Sequence, residues 1–511
     1  MDGTRVQVLR DIETWIRDPE APRIYWLTGM AGTGKTAIGW TICLRASERP
    51  GVILGGSFFC SRSTGLVGQR DIRCVIPTLA QLLARQSITF AQALAAELAH
   101  DPDVLHKQIG AQVKQLLHNP LLALRDSPVP ILFVIDALDE CGGQLITDTT
   151  SDAESHRIVS EMLEALVSLS HAEIKLPVKF FVISRPETHI RDTPVSSSEF
   201  SQVLRLHAVS EQQITDDIRL YISTRLSSGP RLRESFTEIE VDMLARLCDG
   251  LFIVATTALG YILADGMDVA AVRFETLLNV TRDGLSTGAA LPLDEMYALI
   301  LDDATTANEL QTISLPDLLR LLASLLSARM TLSIAALADL LELPVTRVRA
   351  SMSRLHAVID VPDNDGEPGL RALHASFGDY LVGRAPDRVR IPKALGDDVL
   401  AHGCFHVMAK RLRFNVSQSL SSYKPNSPRK PADIALSLEY ACCQWIYHVS
   451  RLPDASVLDT QIDEIFRPRF LFWLEVMSVL GQVWRAMTIL FFGGATVSRE
   501  RVYYDRFPLI F

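Results

Sequence analysis

Short apolar runs alternate with helical patterns through the first 207 residues of the chain. Each run is five to eight residues long and mostly apolar, which is typical of strands in a parallel sheet that is covered on both faces. The runs are residues 24–28, 53–60, 131–136, 178–184 and 203–207. The pattern predicts an α/β core in which a parallel sheet carries helices on both faces.

The pattern changes after residue 207. Residues 208 to about 306 have helical periodicity, with a serine at the start and an apolar helix after Gly250. Between about 310 and 390, a helix, a turn at Leu343–Pro344, a second helix and two short strands follow one another, as in a winged helix-turn-helix. The predicted parts are the α/β core (1–207), a helical domain (208–306), a winged-helix domain (307–392) and a helical C-terminal region (393–511).

A glycine-rich loop follows the first apolar run. Residues 29–36 read GMAGTGKT, a complete G-x-x-x-x-G-K-[ST] motif between a predicted strand and a predicted helix. In that setting backbone N–H groups and the positive end of the helix face a β-phosphate. Lys35 would bridge the β- and γ-phosphates, and Thr36 would ligate Mg²⁺. The candidate nucleotide contacts are Gly29, Gly32, Thr33, Gly34, Lys35, Thr36 and Ala37. A glycine-rich turn without a ligand is the alternative.

Acidic residues follow the apolar run ILFVI about a hundred residues later. Asp136 ends the run, at the edge of an open α/β sheet where ligands bind, and it would hold Mg²⁺ through water as a Walker B aspartate does. Asp139 and Glu140 come next, and a carboxylate there would polarise an attacking water. An acidic turn after a buried strand is the alternative. The loop at residues 29–36 favours the functional interpretation.

The apolar run KFFVIS ends in a basic residue, Arg185. Pro186 then stops the strand and turns the chain. An arginine at the tip of a strand beside the Asp136 strand would sense a γ-phosphate, although a surface arginine would give the same pattern. The candidate catalytic residues are Lys35, Asp139, Glu140 and Arg185.

Composition narrows the classes of partner. The net charge of −10 and the pI near 5.7 argue against a general nucleic-acid binder. The first residues are charged and lack the apolar segment of a secretory signal, so we expect a cytoplasmic protein. Residues 470–492 are long enough to span a bilayer, but Glu475, Gln482 and Arg485 interrupt them. We therefore expect a packed amphipathic helix there and no membrane partner.

The eight cysteines are scattered without the spacing of a disulfide framework. We expect reduced, mostly buried thiols. His402, Cys404 and His406 offer a possible metal cluster, but their generic spacing favours ordinary residues on a helix face.

The order of the predicted parts and several phrases of the sequence resemble the NACHT family of STAND signalling P-loop NTPases, specifically its large fungal branch. The phrases are GTRVQVLRDIETWI, YWLTGMAGTGKTAI, SFFCSR, ILFVIDALDEC, FFVISRPE, CDGLFIVATTA, LHASFGDYL and LEYAC, and the resemblance covers roughly residues 3–490. It implies a switch that binds ATP/ADP or GTP/GDP with Mg²⁺ between the core and the winged helix and hydrolyses slowly. It also implies that nucleotide exchange releases an oligomerising form.

The same resemblance assigns two further contacts and a biological setting. It implies that His374 touches the β-phosphate of a bound diphosphate and that Gly3–Arg5 covers the base. Such proteins act in fungal innate immunity or regulated cell death. Family members commonly carry an N-terminal effector domain and C-terminal sensor repeats, which this sequence does not show. A truncated gene product, a fragment, and a component whose protein partners supply these domains are the open alternatives. The motif GLFIVA also lacks the proline that some relatives place near the nucleotide.

Three functions compete on this reading. The first, which we favour, is a slow NTPase switch whose partners are a nucleoside triphosphate and further copies of the chain. The second is an AAA+-like ATPase that remodels a substrate with fast turnover. The third is a DNA-binding regulator that reads through Arg347, Arg349 and Arg354 on the second helix of the winged-helix unit. The overall acidity disfavours the third, and we expect no nucleic-acid partner.

Overall fold

The structure is a computed structural model that falls into two compact units, which we call the N-terminal unit (to Pro292) and the C-terminal unit (from Leu293). It describes residues 3–61, 67–69, 71–141, 152–170, 176–197, 201–227, 236–264, 267–287, 292–306, 313–416, 418, 434–487 and 489. The four predicted domain limits stay predictions.

A five-stranded parallel sheet forms the centre of the N-terminal unit, which confirms the predicted sheet. Its strands are β1 (Ile24–Thr28), β2 (Ile53–Phe59), β3 (Ile131–Asp136), β4 (Val178–Ser184) and β5 (Ser201–Arg205). Their order is β2-β3-β4-β1-β5, and every pairing is parallel. All residues of β1, β3 and β4 are buried, whereas the edge strands β2 and β5 are partly exposed. The apolar runs therefore mark the inner strands most strongly.

Helices cover both faces of this sheet because alternate strand residues point to opposite sides. On one face, Tyr25, Leu27 and Phe181 pack in a core with the first two helices, while Trp26 and Phe180 belong to the core on the other face. The longer helices of the unit are α1 (Val6–Arg17), α2 (Lys35–Glu48), α3 (Val75–Gln86), α4 (Ile88–His100), α5 (Asp152–Ser170), α6 (Glu211–Ser227), α7 (Glu238–Leu247), α8 (Phe252–Leu263) and α9 (Met267–Thr287). Short helical turns cover Ile109–Gln112, Val113–His118, Asn119–Leu121 and Thr188–Arg191.

Local capping explains where the helices after the sheet begin. The hydroxyl of Ser210 accepts the Gln213 N–H at 3.4 Å, so the predicted serine cap of α6 is present. Thr237 and Glu240 form a reciprocal capping box at the start of α7. Asp249 and Gly250 both have positive φ, which turns the chain sharply before α8.

Lys179 on β4 anchors the chain between α1 and β1. It is 4% exposed, and its Nζ donates to the carbonyls of Asp18 at 2.7 Å and Ala21 at 2.9 Å. The ammonium also lies 5.3 Å from the Trp15 ring centroid. Burial lowers the pKa of Lys179 from 10.5 to about 8.

Replacing Lys179 by methionine should lower the free energy of unfolding by about 1–3 kcal/mol at neutral pH, because buried carbonyls lose their donor.

The lowered pKa of Lys179 also makes the free energy of unfolding depend on pH. Between pH 8 and 10.5 the unfolded chain holds a proton that the folded chain has released, so the wild type gains stability as pH rises. Relative to K179M, that gain is at most about 1.4 kcal/mol per pH unit. Urea unfolding of the full chain at several pH values tests this, with the exposed Lys114→Met as control; a pH-independent difference would contradict it.

In its described residues, the C-terminal unit is helical apart from one small hairpin. Its helices are α10 (Pro292–Thr306), α11 (Leu315–Ser327), α12 (Ile334–Leu341), α13 (Val345–Ser353), α14 (Ala375–Asp379), α15 (Leu395–Arg411), α16 (Leu436–Ser450) and α17 (Asp459–Val479). The antiparallel strands β6 (Ile359–Asp360) and β7 (Arg371–Ala372) follow α13. These are the elements expected of a winged helix, and that assignment stays a prediction.

Arg349 on α13 is engaged inside its own unit. Its side chain donates to Asp365 Oδ1 at 2.6 Å and to the carbonyls of Pro362 at 2.6 Å and Asp363 at 3.1 Å. The guanidinium therefore fixes the turn between β6 and β7. Reading a base with Arg349 would require breaking these bonds.

Two glycines let α15 approach its neighbours closely. A Cβ on Gly396 would lie 2.2 Å from the carbonyl oxygen of Ala323, and one on Gly403 would lie 2.3 Å from that of Leu340. Both obstacles are backbone atoms of packed helices, so they cannot move aside as a flexible side chain would.

Gly403→Ala should therefore force α15 away from α12 and lower the free energy of unfolding by about 1–3 kcal/mol, although alanine favours helix. Gly383→Ala is the matched control, since no heavy atom lies within 4 Å of its added Cβ. The urea midpoints of the two full-length variants check this. Equal midpoints for both variants would show that the helices can separate at little cost.

The apolar stretch 470–492 is not one helix. The helix α17 ends at Val479, and Gly481 follows with φ 69°. Trp473, Val476 and Met477 are buried, whereas Leu471 is exposed, so the α17 part is packed on one side. In the part of the chain that the structure describes, no helix is long and apolar enough to cross a membrane. Residues 488 and 490–492 lie outside the described residues.

The proposed metal cluster on α15 is not assembled. Cys404 is buried, whereas His402 is exposed and contacts Gln461 at 3.1 Å. Within the described ranges, no group of three or more His, Cys, Asp or Glu side chains is placed to hold a metal ion. The interpretation of these residues as ordinary helix-face residues is the better one.

Candidate functional site

The glycine-rich loop joins β1 to α2 at the carboxyl edge of the sheet. Gly32 and Gly34 have φ of 78° and 90°, and α2 begins at Lys35 as expected. A Cβ on Gly32 would lie 2.1 Å from a carbon of Ile253, so glycine is also required there by close packing. The Ile253 N–H donates to the Gly32 carbonyl at 3.1 Å. The start of α8 thus rests on the loop, a contact that the sequence suggested only through the resemblance of GLFIVA to a motif near the nucleotide.

Lys35 is held across this loop. Its Nζ donates to the carbonyls of Gly29 at 2.8 Å and Met30 at 2.7 Å. Burial lowers the pKa of Lys35, and the negative charges of Asp139 and Asp136 oppose that effect. The amine is therefore positioned by the loop and lies in the field of the acidic residues.

Asp136 ends β3 and is 1% exposed. The Thr36 hydroxyl donates to its carboxylate, and burial raises the pKa of Asp136 to about 6. Its Oδ1 atom is buried and has no hydrogen-bond partner among the described residues. A buried carboxylate oxygen without a donor, beside a threonine hydroxyl, offers the hard oxygen ligands that Mg²⁺ prefers. The residues present fit the predicted metal site.

Asp139, Glu140 and Arg185 meet at the same edge. Ala137 has φ 53°, which turns the chain after Asp136 into a 3₁₀ turn over Leu138–Glu140. Asp139 Oδ1 accepts the Arg185 backbone N–H at 2.9 Å, and its Oδ2 lies 3.2 Å from the Arg185 guanidinium. Glu140 is 3.8 Å from the same guanidinium. The fold therefore brings together the acidic and basic candidates, with Asp139 closer to the guanidinium than Glu140.

Trp26 on β1 positions the end of the neighbouring strand. Its indole N–H donates to the Ser184 hydroxyl at 2.8 Å, and both side chains are buried. Ser184 immediately precedes Arg185. The hydrogen bond ties the strand before the glycine-rich loop to the strand that presents the arginine.

Arg5 lies on the other side of the loop. It is 5% exposed with φ 55°, and its guanidinium donates to the Thr33 carbonyl at 3.2 Å. Its backbone N–H donates to Asp217 at 3.1 Å, and its side chain lies 5.2 Å from the centroid of the Phe252 ring. Two of its buried N–H groups, Nε and Nη1, have no hydrogen-bond partner in the described structure. The sequence suggested residues 3–5 only by resemblance and did not indicate Asp217 or Phe252.

His374 belongs to the C-terminal unit and caps α14. Its Nδ1 accepts the Ser376 N–H at 3.1 Å, which places the proton of a neutral ring on Nε2. The Ser376 hydroxyl lies 2.6 Å from His374 Nδ1 and 2.8 Å from the Tyr297 hydroxyl. These contacts fix the orientation of the ring within its own unit.

The expectation of eight reduced thiols is wrong for two cysteines. Cys60 and Cys141 form a disulfide with their Cα atoms 5.7 Å apart, and Cys43, Cys74, Cys248, Cys404, Cys442 and Cys443 are free. Cys60 follows β2, and Cys141 follows the 3₁₀ turn after β3. Because β2 and β3 are neighbours in the sheet, residues 81 positions apart in the sequence meet at its edge.

Two comparisons concern the sequence of the chain. Residues 3–185, about a third of the chain, match the family model of the N-terminal region of nephrocystin 3. No curated protein sequence matches.

Solved structures with a similar arrangement share little sequence with the chain. A STAND protein (signal transduction ATPase with numerous domains) with a tetratricopeptide repeat sensor from Pyrococcus horikoshii aligns with 96% of this chain at 12% identity and TM-score 0.39; the chain spans 55% of that protein. Cdc6p from Pyrobaculum aerophilum aligns with 80% of the chain and 95% of its own length at 14% identity and TM-score 0.31. Drosophila ORC bound to DNA aligns with 76% of the chain and 97% of the matched chain at 13% identity and TM-score 0.30.

The family match covers the loop, β3 with its acidic residues, and Arg185 at the end of β4. The residues that meet at the sheet edge therefore lie within the part of the chain that is similar to that family model.

Proposed function

We propose that this protein is a nucleotide-dependent signalling switch of the NACHT/STAND type. It binds ATP/ADP or GTP/GDP with Mg²⁺, hydrolyses slowly and signals by forming homo-oligomers. The observation that carries the proposal is the meeting of Lys35, Asp136, Glu140 and Arg185 at the carboxyl edge of one parallel sheet. A glycine-rich turn without a ligand does not account for a buried carboxylate and an arginine beside a lysine.

The loop geometry supports nucleotide binding. Backbone N–H groups of the glycine-rich loop and the start of α2 face the phosphates, and Thr33, Thr36 and Ala37 lie within that segment. Phosphate oxygens take over the Lys35 ammonium from the carbonyls of Gly29 and Met30, as charge-assisted hydrogen bonds are stronger than bonds to neutral carbonyls. Thr36 and Asp136 would hold Mg²⁺, which neutralises phosphate charge when bound.

Hydrolysis is assigned to Glu140 as the base that orients and deprotonates water. Asp139 is engaged by the Arg185 backbone and side chain, so it positions the arginine. Arg185 in turn lies within 3.8 Å of Glu140. Arg185 would leave this pairing when it turns to a γ-phosphate, and that rearrangement is consistent with the slow turnover of a switch.

Signalling is assigned to the C-terminal unit. His374 would contact the β-phosphate of a bound diphosphate, and exchange for triphosphate would release that contact and permit assembly. The signal would pass to protein partners, in fungal innate immunity or regulated cell death. The alternative is an AAA+-like remodelling ATPase, which would use the same Glu140 and Arg185 for repeated hydrolysis.

Replacing His374 by alanine should raise the dissociation rate of diphosphate by about tenfold, because one charged or polar phosphate contact is lost. The variant should also assemble at lower triphosphate concentration. Stopped-flow release of a fluorescent diphosphate and light scattering measure both effects. His356→Ala, which removes a half-buried histidine of the same unit, is the control. Unchanged diphosphate release would place the switch contact elsewhere.

The decisive experiment is to denature the purified chain and identify the released nucleotide by chromatography. Near-stoichiometric ADP or GDP would support a locked switch and name the base. An empty site with rapid turnover that rises on assembly would favour the remodelling ATPase. If the chain neither binds nor hydrolyses nucleotide, that result would contradict both functions for this chain acting alone.

A further inference from the structure

The Cys60–Cys141 pair crosslinks the segment that carries the candidate acids. Residues 136–141, here called the acidic segment, begin at the end of β3 and end at Cys141. Their internal turn is closed by the Glu140 N–H to Ala137 carbonyl bond at 2.8 Å and by the Cys141 N–H to Leu138 carbonyl bond at 3.2 Å. The disulfide joins the far end of this turn to the end of β2.

The same two strands also hold the near end of the segment. The Cys60 N–H donates to the Asp136 carbonyl at 2.9 Å. Cys60 therefore contacts both ends of the acidic segment. Its backbone N–H is bonded to the Asp136 carbonyl, and its sulfur is bonded to Cys141. Glu140 lies next to the crosslinked residue, between these two attachments.

We propose that Cys60 and Cys141 are a reversible dithiol–disulfide site that sets the order of the acidic segment. The oxidised pair fixes Glu140 at the sheet edge, and reduction releases it. The consequence for hydrolysis rests on the proposed function, whereas the effect on the order of the segment does not. In reducing compartments, the disulfides that form are usually transient and redox-sensing, which suits a pair beside a catalytic segment.

The oxidant is a low-molecular-weight disulfide such as oxidised glutathione. One cysteine thiolate attacks it, forms a mixed disulfide and displaces one glutathione thiolate. The second cysteine thiolate then attacks the protein sulfur and displaces the other. Two cysteine thiols are oxidised, one glutathione disulfide is reduced to two thiols, and the two protons pass to the glutathione thiolates. Cys60 and Cys141 are 4% and 5% exposed, so exchange is slow and requires opening of the segment.

The test equilibrates the full chain in glutathione buffers of increasing oxidised fraction and counts thiols by alkylation and peptide mass spectrometry. Of the eight cysteines, we expect six free thiols in oxidising buffer and eight in reducing buffer, with Cys60 and Cys141 changing together. Eight free thiols throughout, or a change at other cysteines alone, would overturn the proposal.

Hydrogen exchange of the same samples reads the order of the segment without any nucleotide. We expect amides of residues 136–141 to exchange at least about tenfold faster in the reduced form. Equal exchange in both forms would overturn the proposal even if the disulfide forms. The double variant C60S/C141S should behave as reduced in every buffer, and C74S should keep the wild-type response.

Hydrolysis measured in parallel separates this inference from the proposed function. Oxidised wild type should turn over at least about tenfold faster than reduced, since the placement of Glu140 differs between the two forms. If amide hydrogen exchange depends on the redox state but neither form binds nucleotide, the proposed function is contradicted and the redox site is supported. Binding and turnover that ignore the redox state would overturn the catalytic consequence and leave the proposed function standing.

Discussion

Replacing Lys35 by alanine should weaken the affinity of the full chain for nucleoside di- and triphosphates by at least about a hundredfold, or about 2.7 kcal/mol. Lys35 begins α2, and its ammonium is held over the loop by the carbonyls of Gly29 and Met30. An alanine there keeps the helix but removes the cation that would pair with the β- and γ-phosphates. Because those bonds are to charged oxygens, each is worth more than an ordinary hydrogen bond.

Isothermal titration with ADP, GDP and their triphosphates measures this effect. Arg45→Ala is the matched control, because it removes a cation from the same helix at the 2.8 Å ion pair with Glu13. Arg45→Ala should retain wild-type affinity within about threefold, as its ion pair is partly exposed. Wild-type affinity in K35A would remove the basis for the whole nucleotide assignment.

Replacing Glu140 by glutamine should slow hydrolysis by about a hundredfold or more while leaving nucleotide affinity unchanged. Glutamine keeps the size of the side chain but cannot accept a proton from water. The structure separates this residue from Asp139, which is 8% exposed and bonded to Arg185 through both its carboxylate oxygens. Glu140 lies farther from the Arg185 guanidinium, at 3.8 Å, and is the acid to which we assign the role of base.

Asp139→Asn is the matched comparison for Glu140→Gln. It retains an acceptor for the Arg185 N–H but loses the ion pair, so hydrolysis should fall by only about tenfold. Single-turnover hydrolysis of prebound triphosphate distinguishes the chemical step from product release. A normal rate in E140Q together with a hundredfold loss in D139N would transfer the role of base to Asp139.

The parallel sheet and the glycine-rich loop were predictable because their signals are local. A central strand buried on both faces has a continuous apolar sequence, so β1, β3 and β4 were placed within a residue or two. The loop motif prescribes its own conformation, since Gly32 and Gly34 occupy positive φ that other residues avoid. The carboxyl ends of parallel strands share one edge of the sheet. That rule predicts that Asp136 and Arg185, which follow two of the strands, lie at the same edge.

The cysteine pairing and the contacts of Arg5 were decided by the tertiary structure. Cys60 and Cys141 meet because β2 and β3 are neighbours, and no periodicity in the sequence encodes the order β2-β3-β4-β1-β5. Arg5 contacts Asp217 across 212 residues, on a helix that the sequence described only by its cap. Such contacts depend on how whole helices pack, and packing is a property of shape and volume summed over many side chains.

The sequence by itself determined which residues are available for chemistry at the sheet edge. The tertiary structure decided which partner each of them contacts. Asp139 is bonded to Arg185, Lys35 is bonded to carbonyls of the loop, and the acidic segment is joined to the end of β2 by the disulfide. The physical reason is that residue identity and strand burial can be read from short stretches of sequence. Ion pairs and crosslinks instead depend on spatial distances between residues that are far apart in the sequence.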